Sequence, residues 1–150
     1  MPKIAVIYQS VHHGNTRKLL EGMAKNYELD LFDVGQAHGV EFSQYEIVGF
    51  SSGIYMGKLH QSLTKFLESN PKLTSKAFII YTSGSGGRKY AKAFSEELRQ
   101  KGAQILGVYS CKGYDTYGVW KWIGGISKNH PNDNDIRKGV AFLNHLVRQE

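Results

Sequence analysis

Residues 10–16 gather two hydroxyls, two imidazoles, an amide and a glycine in one short stretch: Ser10, His12, His13, Gly14, Asn15 and Thr16, with Val11 among them. These are donors suited to an anion, and their flanks give them a geometry. Residues 4–8 (IAVIY) form an apolar run rich in β-branched residues and too short for a helix, which reads as a strand buried on both faces. After Thr16, Leu19, Leu20, Met23 and Ala24 recur at helical spacing, so Asn15 or Thr16 is the expected N-cap. A strand, a polar turn and a helix start make an anion site, because the first helical N–H groups lack intrahelical partners and carry the positive end of the macrodipole. Ser10 and Thr16 add hydroxyls, Asn15 an amide, and His12 or His13 a further donor. Neither G-x-x-x-x-G-K-[ST] nor G-x-G-x-x-G is present, which leaves a monophosphate rather than a triphosphate or a dinucleotide.

Three further turns are rich in small residues: 51–58 (SSGIYMGK), 83–87 (SGSGG) and 111–113 (CKG). Glycine and serine at such positions let a ligand approach main-chain N–H and C=O groups. His12 and His13 have no third ligand at metal spacing, and no Ser-His-Asp order or carboxylate pair stands out. Cys111 is alone, so it forms no internal disulfide and a reducing cytoplasm is the expected setting.

The elements that must hold these turns alternate along the chain. Residues 27–34 (YELDLFDV) read as an edge strand with Leu29, Leu31 and Val34 on one side, and 35–45 as a polar connection with at most a short helix. Residues 46–52 (EIVGFSS), 76–82 (KAFIIYT) and 104–110 (QILGVYS) are further strands. Helices are expected over 59–68, stopped by Asn70 and Pro71, over 90–101 with Gly102 at C′, and over 132–148 capped by Asp133 or Asn134. The last carries Ile136, Val140, Leu143 and Val147 as its apolar stripe, and 114–131 is aromatic, glycine-rich and irregular. Five strands alternating with helices imply one α/β domain over 1–150, a parallel sheet with helices on both faces. In the doubly wound order 2-1-3-4-5, the four small-residue turns all close strands at one edge, where ligands bind.

Composition bounds the partners. With 19 Lys+Arg against 13 Asp+Glu the formal charge is +6, a positive field that favours anionic cofactors or acidic partners. The charges are scattered and no nucleic-acid motif is present, so nucleic acid is not expected. No apolar run reaches membrane-spanning length, and the N-terminus lacks the sections of a signal peptide.

The first turn with its flanks, YQSVHHGNT, resembles the phosphate loop of flavodoxins, which runs aromatic, any residue, Ser/Thr, two residues, Gly, any residue, Thr. Tyr8, Ser10, Gly14 and Thr16 match, with three residues rather than two between Ser10 and Gly14. GIYMGK, containing Gly53, Ile54, Tyr55, Met56, Gly57 and Lys58, resembles the second flavin loop. The resemblance implies that Tyr55 or Met56 packs on the isoalloxazine and that Gly57 supplies a peptide near flavin N5. YTSGSGG, with Ser83, Gly84, Ser85, Gly86 and Gly87, is similar to the third loop, whose amides would bond the pyrimidine carbonyls. The stretch from Cys111, Lys112 and Gly113 onward looks like the C-terminal section of small flavodoxin-family proteins.

What the resemblance implies is a flavodoxin-like α/β/α sandwich that binds FMN non-covalently. It would carry one or two electrons between redox partner proteins, a reductase and an acceptor, as a monomer or weak dimer. Its alternative is a flavodoxin-fold NAD(P)H, quinone or porphyrinogen oxidoreductase, with the aromatic residues Tyr114, Tyr117, Trp120 and Trp122 bounding a substrate site. Lys58 stands where some relatives have an acidic residue, so the reduced, anionic flavin would be favoured more than in acidic flavodoxins.

Overall fold

The computed structural model describes residues 2–11, 14–70, 76–84, 89–113 and 129–149. Five strands pair in parallel: β1 (Ile4–Gln9), β2 (Asp30–Asp33), β3 (Ile47–Tyr55), β5 (Lys76–Ser83) and β6 (Gln104–Lys112). The two-residue β4 (Lys58–Leu59) folds back antiparallel on β3. Around them run α1 (Asn15–Ala24), α2 (Gln61–Ser69), α3 (Lys92–Gln100) and α4 (Asp133–Gln149). The sheet order is β2-β1-β3-β5-β6, which is the expected 2-1-3-4-5 once the short hairpin strand is set aside.

Two apolar clusters, one on each face, account for this layering. On one face Leu19, Leu20 and Met23 of α1 and Leu143 and Leu146 of α4 cover Ile4, Val6, Ile47, Phe78 and Ile80. On the other, Leu63, Phe66 and Leu67 of α2 and Phe94 and Leu98 of α3 cover Ala5, Ile7, Val48, Phe50 and Ile79. Alternation along each strand feeds both clusters, which is why the central strands read as unbroken apolar runs. Helices α1 and α4 approach closely because each offers the other a glycine. A side chain at Gly22 would collide with Ile136, and one at Gly139 with Met23.

Several elements depart from the expected bounds. β3 runs three residues past Ser52 and β6 two past Ser110, so Gly53, Ile54, Tyr55, Cys111 and Lys112 are strand residues rather than loop residues. Leu59 belongs to β4, and α2 starts after it. Val34 packs with Phe32 in the cluster opposite to that of Leu29 and Leu31, because it stands an odd number of residues from those leucines and a strand alternates its faces residue by residue. Helix α1 is capped by Gly14 in the left-handed region (φ 64), not by Asn15 or Thr16, which are already helical.

At α4 the cap is Asn132, not Asp133 or Asn134. Asn132 Oδ1 accepts from the Asp135 N–H (3.0 Å) while Asp135 Oδ2 accepts from the Asn132 N–H (2.8 Å), a reciprocal capping box. Gly102 (φ 88) ends α3 as expected: its N–H donates to Arg99 O and that of Ala103 to Leu98 O. Within β6, Leu106 is an extra residue between the pairs Ala77 with Ile105 and Phe78 with Gly107.

Candidate functional site

The C-terminal ends of β1, β3, β5 and β6 meet at one edge of the sheet, and side chains tie them to one another. Ser10 Oγ accepts from the Arg17 N–H at 3.2 Å, so a hydroxyl stands at the start of α1 where an anion would receive the same donor. The chain turns there through a bond from the Gly14 N–H to Val11 O (3.0 Å). A side chain added at Gly14 would meet nothing within 4 Å among the described residues. Thr16 is buried, and its hydroxyl lies 3.4 Å from that of Thr82 on β5. It therefore faces the sheet rather than the surface of the turn.

The second turn is a tight hairpin. Tyr55 pairs with Lys58, and Met56 (φ 52) and Gly57 (φ 79) make the two-residue bend. Both central residues have positive φ, the type I′ arrangement that matches strand twist. Glycine takes this conformation at little cost, whereas Met56 holds it against its steric preference with its side chain 96% exposed. Tyr55 points back over Gly53, its hydroxyl accepts from the Val11 N–H, and its ring meets His60 edge-on at 4.9 Å. Burial pushes the Tyr55 hydroxyl pKa up, with the Val11 N–H opposing the shift.

Beneath the hairpin, Ser52 Oγ accepts from the His60 N–H (2.9 Å) and donates to Gly53 O (2.7 Å). His60 caps α2, its Nδ1 accepting from the Ser62 N–H at 3.1 Å. Burial, with Lys65 adding to it, holds the imidazole below its ordinary pKa, in keeping with a neutral ring whose Nδ1 is an acceptor. Ser51 is fully buried, and its hydroxyl oxygen has no hydrogen-bond partner among the described residues.

The third and fourth turns join the first. The Gly113 N–H donates to Ser83 O (3.0 Å), and the Asn15 side chain packs where a Cβ on Gly113 would stand. Ser83 is buried and Gly84 half-buried, while Lys112 is exposed at the end of β6. His12, His13, Ser85, Gly86 and Gly87 lie outside the described residues, as do the aromatic residues of 114–122.

Beside β6 and the start of α4 is a cavity of about 570 Å³ lined in part by Tyr109, Cys111, Lys112, His130, Asp135 and Lys138. His130 Nδ1 lies 2.7 Å from Asp135 Oδ2, and the Tyr109 hydroxyl donates to Asp135 O (2.6 Å). Burial first, then the Asp135 charge, pushes the Cys111 thiol up to about 12, so it rests protonated and unreactive.

The comparisons with known proteins agree with this layout. Residues 5–121 match the family model described as a flavodoxin domain. The chain belongs to the flavodoxin domain family. This flavodoxin-domain chain is 39% identical over 148 residues to an uncharacterized protein of Methanocaldococcus jannaschii, covering 97% of this chain and 99% of the other. A short-chain flavodoxin associated with a bacterial microcompartment superposes with a TM-score of 0.70 at 14% identity, covering 99% of each chain. Rubredoxin oxygen:oxidoreductase from Desulfovibrio gigas gives 0.68 at 16% identity over 98% of this chain, which spans only 35% of that longer protein. A flavoprotein from Lactobacillus acidophilus, solved in complex with FMN, gives 0.60 at 17% identity over 82% of this chain and 99% of that one. At these identities the superpositions speak for the fold.

Sequence reasoning had not singled out Val11, Thr82, His60 or Asp135. Only the last had a readable signal, the N-x-x-D spacing of a capping box from Asn132 to Asp135. Thr82 is brought to the edge by strand register, and Val11 and His60 by the turns that follow β1 and β4, neither of which one sequence displays.

Proposed function

We propose that this flavodoxin-domain chain carries one or two electrons on non-covalently bound FMN, between a reductase and an acceptor. The observation that supports this most is the knotting of four strand ends at one edge: Val11 with Tyr55, Thr16 with Thr82, and Gly113 with both Ser83 and Asn15. Side chains that hold turns in place pre-organise a site for a ligand spanning those turns.

The residues fit the group. A phosphate would take the N–H donors at the start of α1, the Ser10 hydroxyl and the Asn15 amide, over Gly14, with His12 and His13 as further donors. The Ser51 hydroxyl, without a partner among the described residues, lies at the same end of the sheet, on β3. Tyr55 is engaged by Val11 and His60, which leaves Met56 as the side chain at liberty to cover the ring, with Gly57 beside it. Main-chain groups of 83–87 and of Cys111, Lys112 and Gly113 would complete the cradle. Bound FMN supplies the one- and two-electron chemistry. The protein orients it, and Lys58 adds positive charge that favours an anionic reduced form.

The test is the absorbance spectrum of the purified protein, then titration of FMN-free protein with FMN. A flavin spectrum, or uptake at micromolar FMN, is expected; colourless protein that refuses FMN overturns the reading. A second reading, an FMN-dependent NAD(P)H, quinone or porphyrinogen oxidoreductase, is favoured by the cavity beside β6, whose size suits a small substrate. Rapid NAD(P)H turnover with a quinone would select it; slow direct oxidation of NAD(P)H would select the carrier.

A further inference from the structure

We infer that, with or without a flavin, the outer edge of β6 docks an acidic peptide segment of a partner protein, which adds to the sheet as an extended strand. The parallel sheet has two edge strands, β2 and β6, and they are built differently. β2 is four residues long with Asp30 and Asp33 at its ends; Asp30 accepts from the Tyr45 hydroxyl (2.7 Å) and Asp33 from the Gly35 N–H (2.9 Å). A short edge closed by charged residues resists further pairing. β6 has nine residues, and among the described residues it pairs with β5 alone.

The bulge at Leu106 bends the lower part of β6, but from Gly107 to Lys112 its register with β5 is unbroken. That stretch spans roughly 16 Å at the usual rise of a parallel strand. Before Lys112 it carries neither a charged side chain nor a proline to blunt it. An edge of this kind presents a row of main-chain N–H and C=O groups to whatever lies beside it. The cavity next to β6 follows this rim. Its lining includes five consecutive residues, 108–112, whose side chains alternate between faces, so it runs along the strand's edge and not over one face. Val108, 42% exposed, is on the face of its partner Ile79, and Tyr109 and Cys111 are on the face covered by α4.

Charge selects the occupant. Among the described residues lining the cavity, Lys112 and Lys138 are exposed cations, and Asp135 is the one carboxylate. Asp135 Oδ2 is already taken by the His130 ring (2.7 Å) and the Asn132 N–H (2.8 Å), and burial keeps the Cys111 thiol protonated, so neither opposes an incoming anion. Lys112 shares the face of Val108 and Lys138 comes from α4 on the other, so an added strand meets a cation on each side. Main-chain bonds give such a contact its affinity, and the alternate side chains give it specificity. A second copy of this chain fits less well, because pairing β6 with β6 would bring the Lys112 and Lys138 side chains of two chains of formal charge +6 to one seam. Single-stranded nucleic acid is held by stacking on aromatic rings, but Tyr109 is stacked on Phe142 (5.7 Å) and Tyr81 meets Tyr90 edge-on (6.0 Å).

The experiment titrates the purified protein into a labelled, acetylated and amidated hexapeptide, Glu-Val-Glu-Val-Glu-Val, read by fluorescence anisotropy. Saturable binding is expected, and the amides of residues 107–112 should exchange their hydrogens about tenfold or more slowly in the complex. Two further peptides are methylated on alternate main-chain nitrogens. The one methylated on the set that faces β6 should bind about tenfold more weakly, while the other stays within about threefold of the unmethylated peptide. Lys112→Gln/Lys138→Gln should weaken binding about tenfold, and the control Lys25→Gln/Lys65→Gln, on α1 and α2, by no more than about threefold. Absent binding, equal binding of both methylated peptides, or equal losses in the two double variants would each overturn the inference. So would equally tight binding of a single-stranded DNA of about 20 nucleotides. A parent that sediments as a dimer and becomes a monomer on Val108→Lys would give the edge to a second copy and overturn it as well.

Discussion

The central strands β3 and β5 each have two halves with opposite characters. In the lower halves Ile47, Val48, Phe50 and residues 77–81 are all buried and, apart from the Tyr81 hydroxyl, apolar. In the upper halves Ser51, Ser52, Thr82 and Ser83 are just as buried but polar, and Thr16 joins them from α1. The two halves share one sheet, one hydrogen-bond register and the same covering helices. What differs is the return on burial. Each apolar side chain below gains its full transfer energy, whereas each hydroxyl above must find a partner or forfeit one. The lower half supplies stability, and the upper half gives some of it up to keep donors and acceptors at the edge where the turns meet.

This contrast can be broken at either end. The largest effect is expected from Phe78→Ala, which removes a fully buried ring packed against Phe142 and should cost about 3–5 kcal/mol in urea unfolding. FMN affinity of the variant that remains folded should stay near the parent value; a large loss would show that the halves are not separable. Tyr55→Phe keeps the ring against His60 but removes the acceptor of the Val11 N–H. It should weaken FMN binding by about 1 kcal/mol, roughly fivefold, with little change in the unfolding of FMN-free protein. An unaltered dissociation constant would remove the link between the first two turns from the account.

Smaller effects sharpen the boundary. Ser51→Ala deletes a buried hydroxyl that lacks a partner among the described residues and should stabilise the FMN-free protein by about 1 kcal/mol, read from its denaturation midpoint. A clear destabilisation would mean that the hydroxyl already has a role in the fold. His60 has a folded-state pKa below its ordinary 6.5, so the unfolded chain takes up its proton first as pH falls. Its contribution is fully present above about 6.5 and is lost as pH drops through the lowered folded value. His60→Asn should keep the α2 cap and flatten this acid limb of the stability profile. Finally, Lys58→Glu should lower the potential of the couple that forms the anionic reduced flavin by tens of mV, each ~1.4 kcal/mol corresponding to about 59 mV. A potential that is unchanged or higher in the variant defeats the role given to Lys58.

Much of this protein was written in its sequence. Short apolar runs such as IAVIY and AFIIY, too short for helices, read as strands covered on both faces, and strands of that kind alternating with helices lead to a parallel, doubly wound sheet. Small residues follow those strands at the C-terminal edge of the sheet, and Gly102 marked the end of α3, because its left-handed backbone follows from local sterics. Tertiary structure alone decided how the turns are joined. The extension of β3 to Tyr55, the hairpin at Met56 and Gly57, and the pairing of Thr16 with Thr82 and of Gly113 with Asn15 depend on which strands become neighbours. The same holds for Gly22 and Gly139, whose missing side chains acquire a purpose only when α1 and α4 lie against each other. Periodicity records which face of an element is buried, but register between distant segments is set by the packing of the whole chain, and no local pattern carries it.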